Sequence, residues 1–154
     1  MGEALKRRIK QTVDFANPAQ EAMLNLIVAA DYVCSRLEQI CAEFGITRPQ
    51  YNVLRILRGV HPAGHARAEI AARLLASAPD VTRLVDRLQA QGLVERDRVE
   101  EDRRLSIARI TRKGLRLLDE MQPHISKEHE RFSRRVSRHD CLELSRICET
   151  IYGG

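Results

Sequence analysis

The punctuation of its helices constrains the fold of this chain more than any other feature. Apolar residues recur at alternating three- and four-residue steps, and most stretches open on a capping residue and close on a glycine. Asn17-Pro18 reads as an N-cap followed by proline at the first helical position, where its missing N–H costs nothing. Met23, Leu26, Ala30, Val33, Leu37, Ile40 and Phe44 then form one stripe, widened by Ile27, Cys34 and Cys41 and ended by Gly45. A 3-4 stripe of this length is the face of a helix that packs along another helix. Thr47-Arg48-Pro49-Gln50 is a capping box. It opens a second helix whose apolar face is Tyr51, Val53, Leu54 and Leu57, closed by Gly59.

A short third helix is expected over residues 67–75, without a good cap and with Ile70, Leu74 and Leu75 turned inward. Ser77-Ala78-Pro79-Asp80 reads as another capping box. It opens a fourth helix, buried through Val81, Leu84, Val85 and Leu88 and stopped by Gly92. Two β-prone runs, residues 93–96 and 105–110, flank a charged tip and predict a hairpin. Thr111 caps a fifth helix carrying Leu115, Leu117, Leu118 and Met121, which Pro123 should kink or break. Ser137-Arg138-His139-Asp140 caps a last helix with the stripe Cys141, Leu144, Cys148 and Ile151. The expected fold is mainly α with a small β-hairpin: a winged helix-turn-helix at residues 46–116, between helical arms at 1–45 and 117–154.

The chain has 154 residues and is 44% hydrophobic, enough for a core. Its longest apolar run, residues 26–30, is far short of the roughly 20 residues that span a bilayer. The start, MGEALKRRIK, has no apolar stretch of the secretory kind. A cytoplasmic globular protein is therefore expected. The net charge is +5, and +4 of it falls within residues 61–116, with six basic residues and no acid in 103–116. Arginine outnumbers lysine 22 to 4. Guanidinium forks match phosphates and guanine edges, so the local excess points to a nucleic-acid partner.

A recognition helix must bury one stripe and keep a polar face that can enter a major groove. The fourth helix does this, leaving Asp80, Thr82, Arg83, Asp86 and Arg87 outside. Arg83 and Arg87, four apart, share one face. The helix N-terminus beside Ser77 and Pro79 also suits a phosphate.

Residues 46–118 resemble the MarR family of bacterial transcription regulators. The likeness rests on Ile46-Thr47-Arg48-Pro49-Gln50-Tyr51-Asn52-Val53-Leu54, on Glu69-Ile70-Ala71-Ala72-Arg73-Leu74, and on VTRLVDRLQAQGLVER at residues 81–96. Asp102-Arg103-Arg104 and Ile110-Thr111-Arg112-Lys113-Gly114 follow in family order. The resemblance implies a homodimer built by the terminal helices, on double-stranded DNA with a pseudo-palindromic operator. It places a recognition helix at about residues 77–91 in the major groove and the wing in the minor groove. Asp102 would orient Arg104 there, with Arg98 and Arg103 as further phosphate or groove contacts. Ser77, Pro79, Asp80, Thr82, Arg83 and Arg87 complete the expected DNA-binding set. Asp80 stands where Ser or Thr is common, and a capping role suits an anion there. The loop at residues 59–65 is longer than in many relatives. The family also implies a small aromatic or anionic effector, for which Met23, Ile27, Arg48, Tyr51 and Arg55 are the candidate lining residues.

Cys34, Cys41, Cys141 and Cys148 form two pairs, each spaced by seven, on the apolar stripes of the outer helices. They read as small core hydrophobes, with a redox-responsive regulator as the alternative. There is no CxxC or HxxxH, so no metal site is expected, and no cofactor. No Ser/His/Asp set or glycine-rich phosphate loop supports an enzyme. A winged-helix module for protein contact is the other competitor, and it would carry a more apolar recognition face. The expected function is a sequence-specific DNA-binding regulator, a repressor released by its effector.

Overall fold

Capping chemistry sets most of the element boundaries in the computed structural model, which describes residues 2–75, 80–99 and 102–153, leaving aside the side chains at 98, 99 and 102–105. The elements in chain order are α1 (Glu3–Ile9), α2 (Pro18–Glu43), α3 (Arg48–Gly59), β1 (His65–Ala66), α4 (Arg67–Arg73), α5 (Val81–Ala90), β2 (Val94–Val99), β3 (Asp102–Ile110), α6 (Arg112–Ser133) and α7 (Arg138–Tyr152). They group into two units, residues 1–39 and 40–154. Among the described residues no helix is long and apolar enough to cross a membrane.

In the first unit α1 buries Leu5, and Lys6 pairs with Asp14 in the segment that follows. This short helix was not expected from the periodicity, because seven residues hold too few apolar positions to form a stripe. The backbone N–H of Gln20 donates to Asn17 Oδ1 at 2.9 Å, so α2 opens as the Asn-Pro pair predicts.

The second unit holds the core. Thr47 and Gln50 form the predicted capping box of α3, whose Val53, Leu54 and Leu57 are fully buried. Ile70 of α4, Val85 and Leu88 of α5, Val94 of β2 and Leu118, Met121 and Ile125 of α6 complete the packing. The strand order is β1-β3-β2, all antiparallel, with β2 at the edge. Val94 faces Ile110 and Arg96 faces Ala108, with an irregularity at residues 98 and 99. Val94, Ala108 and Ile110 are buried, which marks this side as the inner face of the sheet.

Several expectations need correction. The hairpin strands are longer than the apolar runs, because backbone pairing continues through the charged residues. A third strand, β1, pairs His65 with Ala108, where a loop was expected; two residues are too few to show alternation. Helix α4 stops at Arg73, and Leu75 is 87% exposed instead of inward. Helix α5 begins at Val81 with Asp80 as its N-cap, not at a box led by Ser77. Residues 76–79 lie outside the described set. Pro123 does not break α6, which runs on to Ser133. The proline leaves the Asp119 carbonyl without its helical donor, but both residues are exposed, so water can satisfy it.

Gly64 closes the turn into β1 at φ +78°, and a Cβ there would lie 2.4 Å from the Ala108 carbonyl oxygen. Gly59, at the end of α3, has open space around it. Gly64→Ala should therefore cost about 1–3 kcal/mol in urea unfolding. Gly59→Ala should be neutral or stabilising by up to about 1 kcal/mol. Equal unfolding midpoints for the two variants would contradict this placement.

Candidate nucleic-acid interface

Residues 80–110, which form α5 and the adjoining β2–β3 hairpin, hold seven arginines set among seven acidic residues. Asp80 creates the start of α5: its Oδ1 accepts the backbone N–H of Arg83 at 3.0 Å. Its Oδ2 also lies 3.1 Å from Arg83 Nε. The anion at this position thus serves as a cap, as anticipated, and holds the Arg83 guanidinium beside the helix N-terminus. Arg83 stands in the first turn, one turn earlier than a helix starting at Ser77 would place it. Val85 and Leu88 are buried and Val81 and Leu84 half-buried, whereas Thr82, Arg83, Asp86 and Arg87 are exposed. The expected division of the helix into two faces therefore holds.

The four outward residues do not share one role. Arg87 makes no ion pair among the described residues and is free to face a ligand. Thr82 and Asp86, one turn apart, face neighbouring elements. Arg67 at the start of α4 donates to Thr82 Oγ1 at 3.3 Å. Arg96 of β2 donates to Asp86 Oδ1 at 2.5 Å and to the Thr82 carbonyl at 3.4 Å. Arg67, Thr82 and Arg96 border a cavity of about 360 Å³ with Ile70, Val85, Ser106 and Ala108.

The hairpin is fastened on its other side as well. Arg109 of β3 pairs with Asp97 of β2, and its Nε donates to the Ala63 carbonyl at 3.1 Å. Lys113 Nζ donates to the Gln91 carbonyl at 2.7 Å, and Thr111 Oγ1 to the Gly92 carbonyl at 2.7 Å. The end of α5 and the start of α6 are thereby tied together. Arg98, Asp102, Arg103 and Arg104 lie on β2 and β3 beside the tip. Their side chains lie outside the described set, as do Ser77 and Pro79 altogether.

A second feature lies between α3 and α6. Tyr51, Arg55 and Arg58 from α3, with Leu118, Gln122, Ile125 and His129 from α6, line a cavity of about 190 Å³. The Arg55 guanidinium carbon is 6.0 Å from the Tyr51 ring centroid, within cation–π range. Arg58 is held by Asp119 at 2.8 Å. Burial pushes the Tyr51 phenol above its usual range, against the opposing pull of Arg55, so Tyr51 keeps its proton at neutral pH. The cavity thus joins an apolar floor to hydrogen-bond donors and cations. Of the five effector candidates, it brings Tyr51 and Arg55 together. Arg48 stands in the first turn of α3 and does not line it. Met23 and Ile27 are exposed on α2 in the first unit. Arg58 and His129 were missed, although Arg58 follows Tyr51 by seven on the same helix.

None of the four cysteines is in a disulfide: Cys41 is buried, and Cys34, Cys141 and Cys148 are half-buried. Cys141 Sγ lies 3.7 Å from the Val136 carbonyl. Among the described residues no group of three His, Cys, Asp or Glu side chains could hold a metal ion.

Residues 44–105 match the model of the MarR family. A MarR transcription factor from Planctomyces limnophilus is 40% identical, with TM-score 0.71 over 89% of this chain and 99% of that one. The transcriptional repressor CouR, solved on a 23-mer DNA duplex, is 25% identical, with TM-score 0.77 over 92% of this chain and 99% of its own. CouR from Rhodococcus jostii RHA1 has also been solved with p-coumaroyl-CoA, a structure matching at 20% identity and TM-score 0.74 over 89% of this chain and 95% of that one. The HTH-type transcriptional repressor IacR of Pseudomonas putida is 25% identical over 116 residues, 75% of this chain and 68% of its own. With the winged helix-turn-helix geometry, these likenesses place the chain in the MarR family of transcription regulators.

Proposed function

We propose that this protein is a cytoplasmic homodimeric repressor of a pseudo-palindromic operator, released by a small aromatic carboxylate. The observation that carries the reading is the α5 face, where Arg83 and Arg87 stand exposed on a helix that adjoins the hairpin. Two such helices, one per subunit, would enter successive major grooves about 10 bp apart, with Arg104 in the flanking minor groove. The outer face is charged, which favours DNA over the apolar contact a protein-docking module needs. The CouR complex with duplex DNA supports the same assignment on the same fold, and both CouR and IacR are named repressors.

The terminal helices support dimerisation. Helix α7 buries none of its residues, yet Leu144, Ile147 and Ile151 are 43%, 44% and 63% exposed. Helix α2 likewise exposes Met23, Leu26, Ile27 and Val33. Apolar stripes of this kind, left uncovered in one subunit, are covered by a second copy.

The effector would sit in the α3–α6 cavity. Arg55 and His129 suit a carboxylate, Tyr51 a ring, and the small volume one aromatic ring. Its binding would shift the spacing of the two recognition helices, so that both half-sites could no longer be engaged together.

Arg104→Ala should weaken operator binding by about 1–3 kcal/mol in fluorescence anisotropy; unchanged affinity would remove the wing from the interface. Asp80→Asn keeps a capping side chain, frees Arg83 and removes an anion. It should strengthen DNA binding by about 0.5–1 kcal/mol, on the scale of an exposed ion pair, with unfolding stability nearly unchanged. Weaker binding would mean that Asp80 itself accepts from a base. With benzoate and p-coumarate as probes, Arg55→Ala should raise the ligand Kd about tenfold and leave operator affinity intact. Unaltered ligand binding would move the effector out of this cavity.

A further inference from the structure

Arg96 is placed unusually for a charged side chain. On β2 it follows Val94 by two residues, so both lie on the inner face of the sheet, where Val94 is buried. Its cross-strand partner there is Ala108, also buried and too small to fill the space beside it. The guanidinium spans the resulting cavity to α5. One nitrogen lies 2.5 Å from Asp86 Oδ1 and 3.4 Å from the Thr82 carbonyl oxygen, which is one turn earlier on the same helix face. Arg67 reaches the Thr82 hydroxyl from α4. The buried apolar side chains of α5 are Val85 and Leu88, less than one turn apart, with Val81 and Leu84 half-buried beside them. Apolar contacts are non-directional, so they set the depth of the helix more firmly than its rotation. Arg96 adds a directional ionic contact on the flank, and that contact is carried by the wing.

We propose that Arg96 is a positioning residue that locks the orientation of α5 to the wing, so that it sets DNA sequence discrimination without itself touching DNA. The proposal rests on the reading that α5 and the hairpin bind DNA together. If α5 enters the major groove while the hairpin enters the minor groove, the geometry between them must match the duplex. Base readout through Arg83 and Arg87 needs hydrogen-bond accuracy, whereas attraction to phosphates tolerates a loosely held helix. Loss of the clamp therefore falls on specificity. Asp86 matters in the same way, since it carries the negative half of the clamp on the recognition helix. Arg96→Lys keeps the charge, but its ammonium on a flexible stem is held in place less firmly than the rigid guanidinium.

The test uses the full chain with two probes: a duplex obtained by in vitro selection with the wild-type protein, and a scrambled duplex of the same length and composition. Dissociation constants for both are measured across a salt series for wild type, Arg96→Met, Arg96→Lys and Asp86→Asn/Arg96→Met. Arg96→Met keeps the apolar stem, and the double variant removes the carboxylate that the single variant would leave uncompensated. The expected result is a loss of about tenfold in the ratio of selected to scrambled affinity for Arg96→Met, with scrambled-DNA affinity and salt slope unchanged. The double variant should lose as much, and Arg96→Lys should fall between it and wild type. Thermal unfolding identifies a variant that fails to fold, in which case Arg96→Lys carries the comparison. An unchanged ratio overturns the clamp. Equal losses on both duplexes with a salt slope shallower by about one unit would make Arg96 a phosphate contact instead, and also overturn it. A recovered ratio in the double variant would trace the effect to the stray Asp86 charge and overturn it as well. A wild-type protein with no preference between duplexes would overturn the DNA-binding reading itself.

Discussion

The surface proposed to meet DNA depends on how helix α5 is held. It has ten residues, too few to be stably helical alone in water. Its helicity is supplied by its surroundings: Asp80 satisfies an N-terminal donor, Val85 and Leu88 seal against the core, and Arg96 and Arg67 grip the flank. What remains exposed is the face with Arg83 and Arg87. The polar residues of α5 thus divide into those that hold the helix and those left to meet a ligand.

The hairpin answers a related problem. A small sheet with β2 at its edge has little apolar surface to hold its shape. Ionic and capping contacts do part of that work. Arg109 ties β3 to Asp97 and to the Ala63 carbonyl, and Thr111 and Lys113 bind the hairpin base to the end of α5. Basic residues of the 103–116 stretch are therefore partly structural. Arg109 and Lys113 are engaged inside the protein, so the raw charge count overstates the number of cations offered to DNA.

The elements legible in the sequence were those governed by local rules. The caps at Asn17, Thr47, Thr111 and Ser137, the helices α2, α3, α6 and α7, and the buried stripes of α3 and α6 follow from side chains a few residues apart. The inward set Val85, Leu88 and the outward set Arg83, Arg87 follow from the 3.6-residue period. What was not legible depends on residues far apart in the chain. Strand β1 exists only because residues 65 and 66 meet β3. Arg96 acquires its role only when Ala108 opposite leaves room for it to reach Asp86. Arg58 and His129 join Tyr51 and Arg55 only when α6 packs on α3. The start of α5 shows a local rule misapplied: Ser77 and Asp80, three apart, both suit an N-cap, and it is Asp80 that caps the helix beginning at Val81.

The central claim is that one recognition helix and wing per subunit read a two-fold DNA site. The most direct measurement is selection of duplexes by the full-length protein from a random pool, with the stoichiometry of the selected complex determined by light scattering. The account predicts a pseudo-palindrome with half-site centres about 10 bp apart, bound by two chains, with affinity falling steeply as salt rises. A pool that shows no enriched sequence, or a single unpaired half-site bound by one chain, would contradict it.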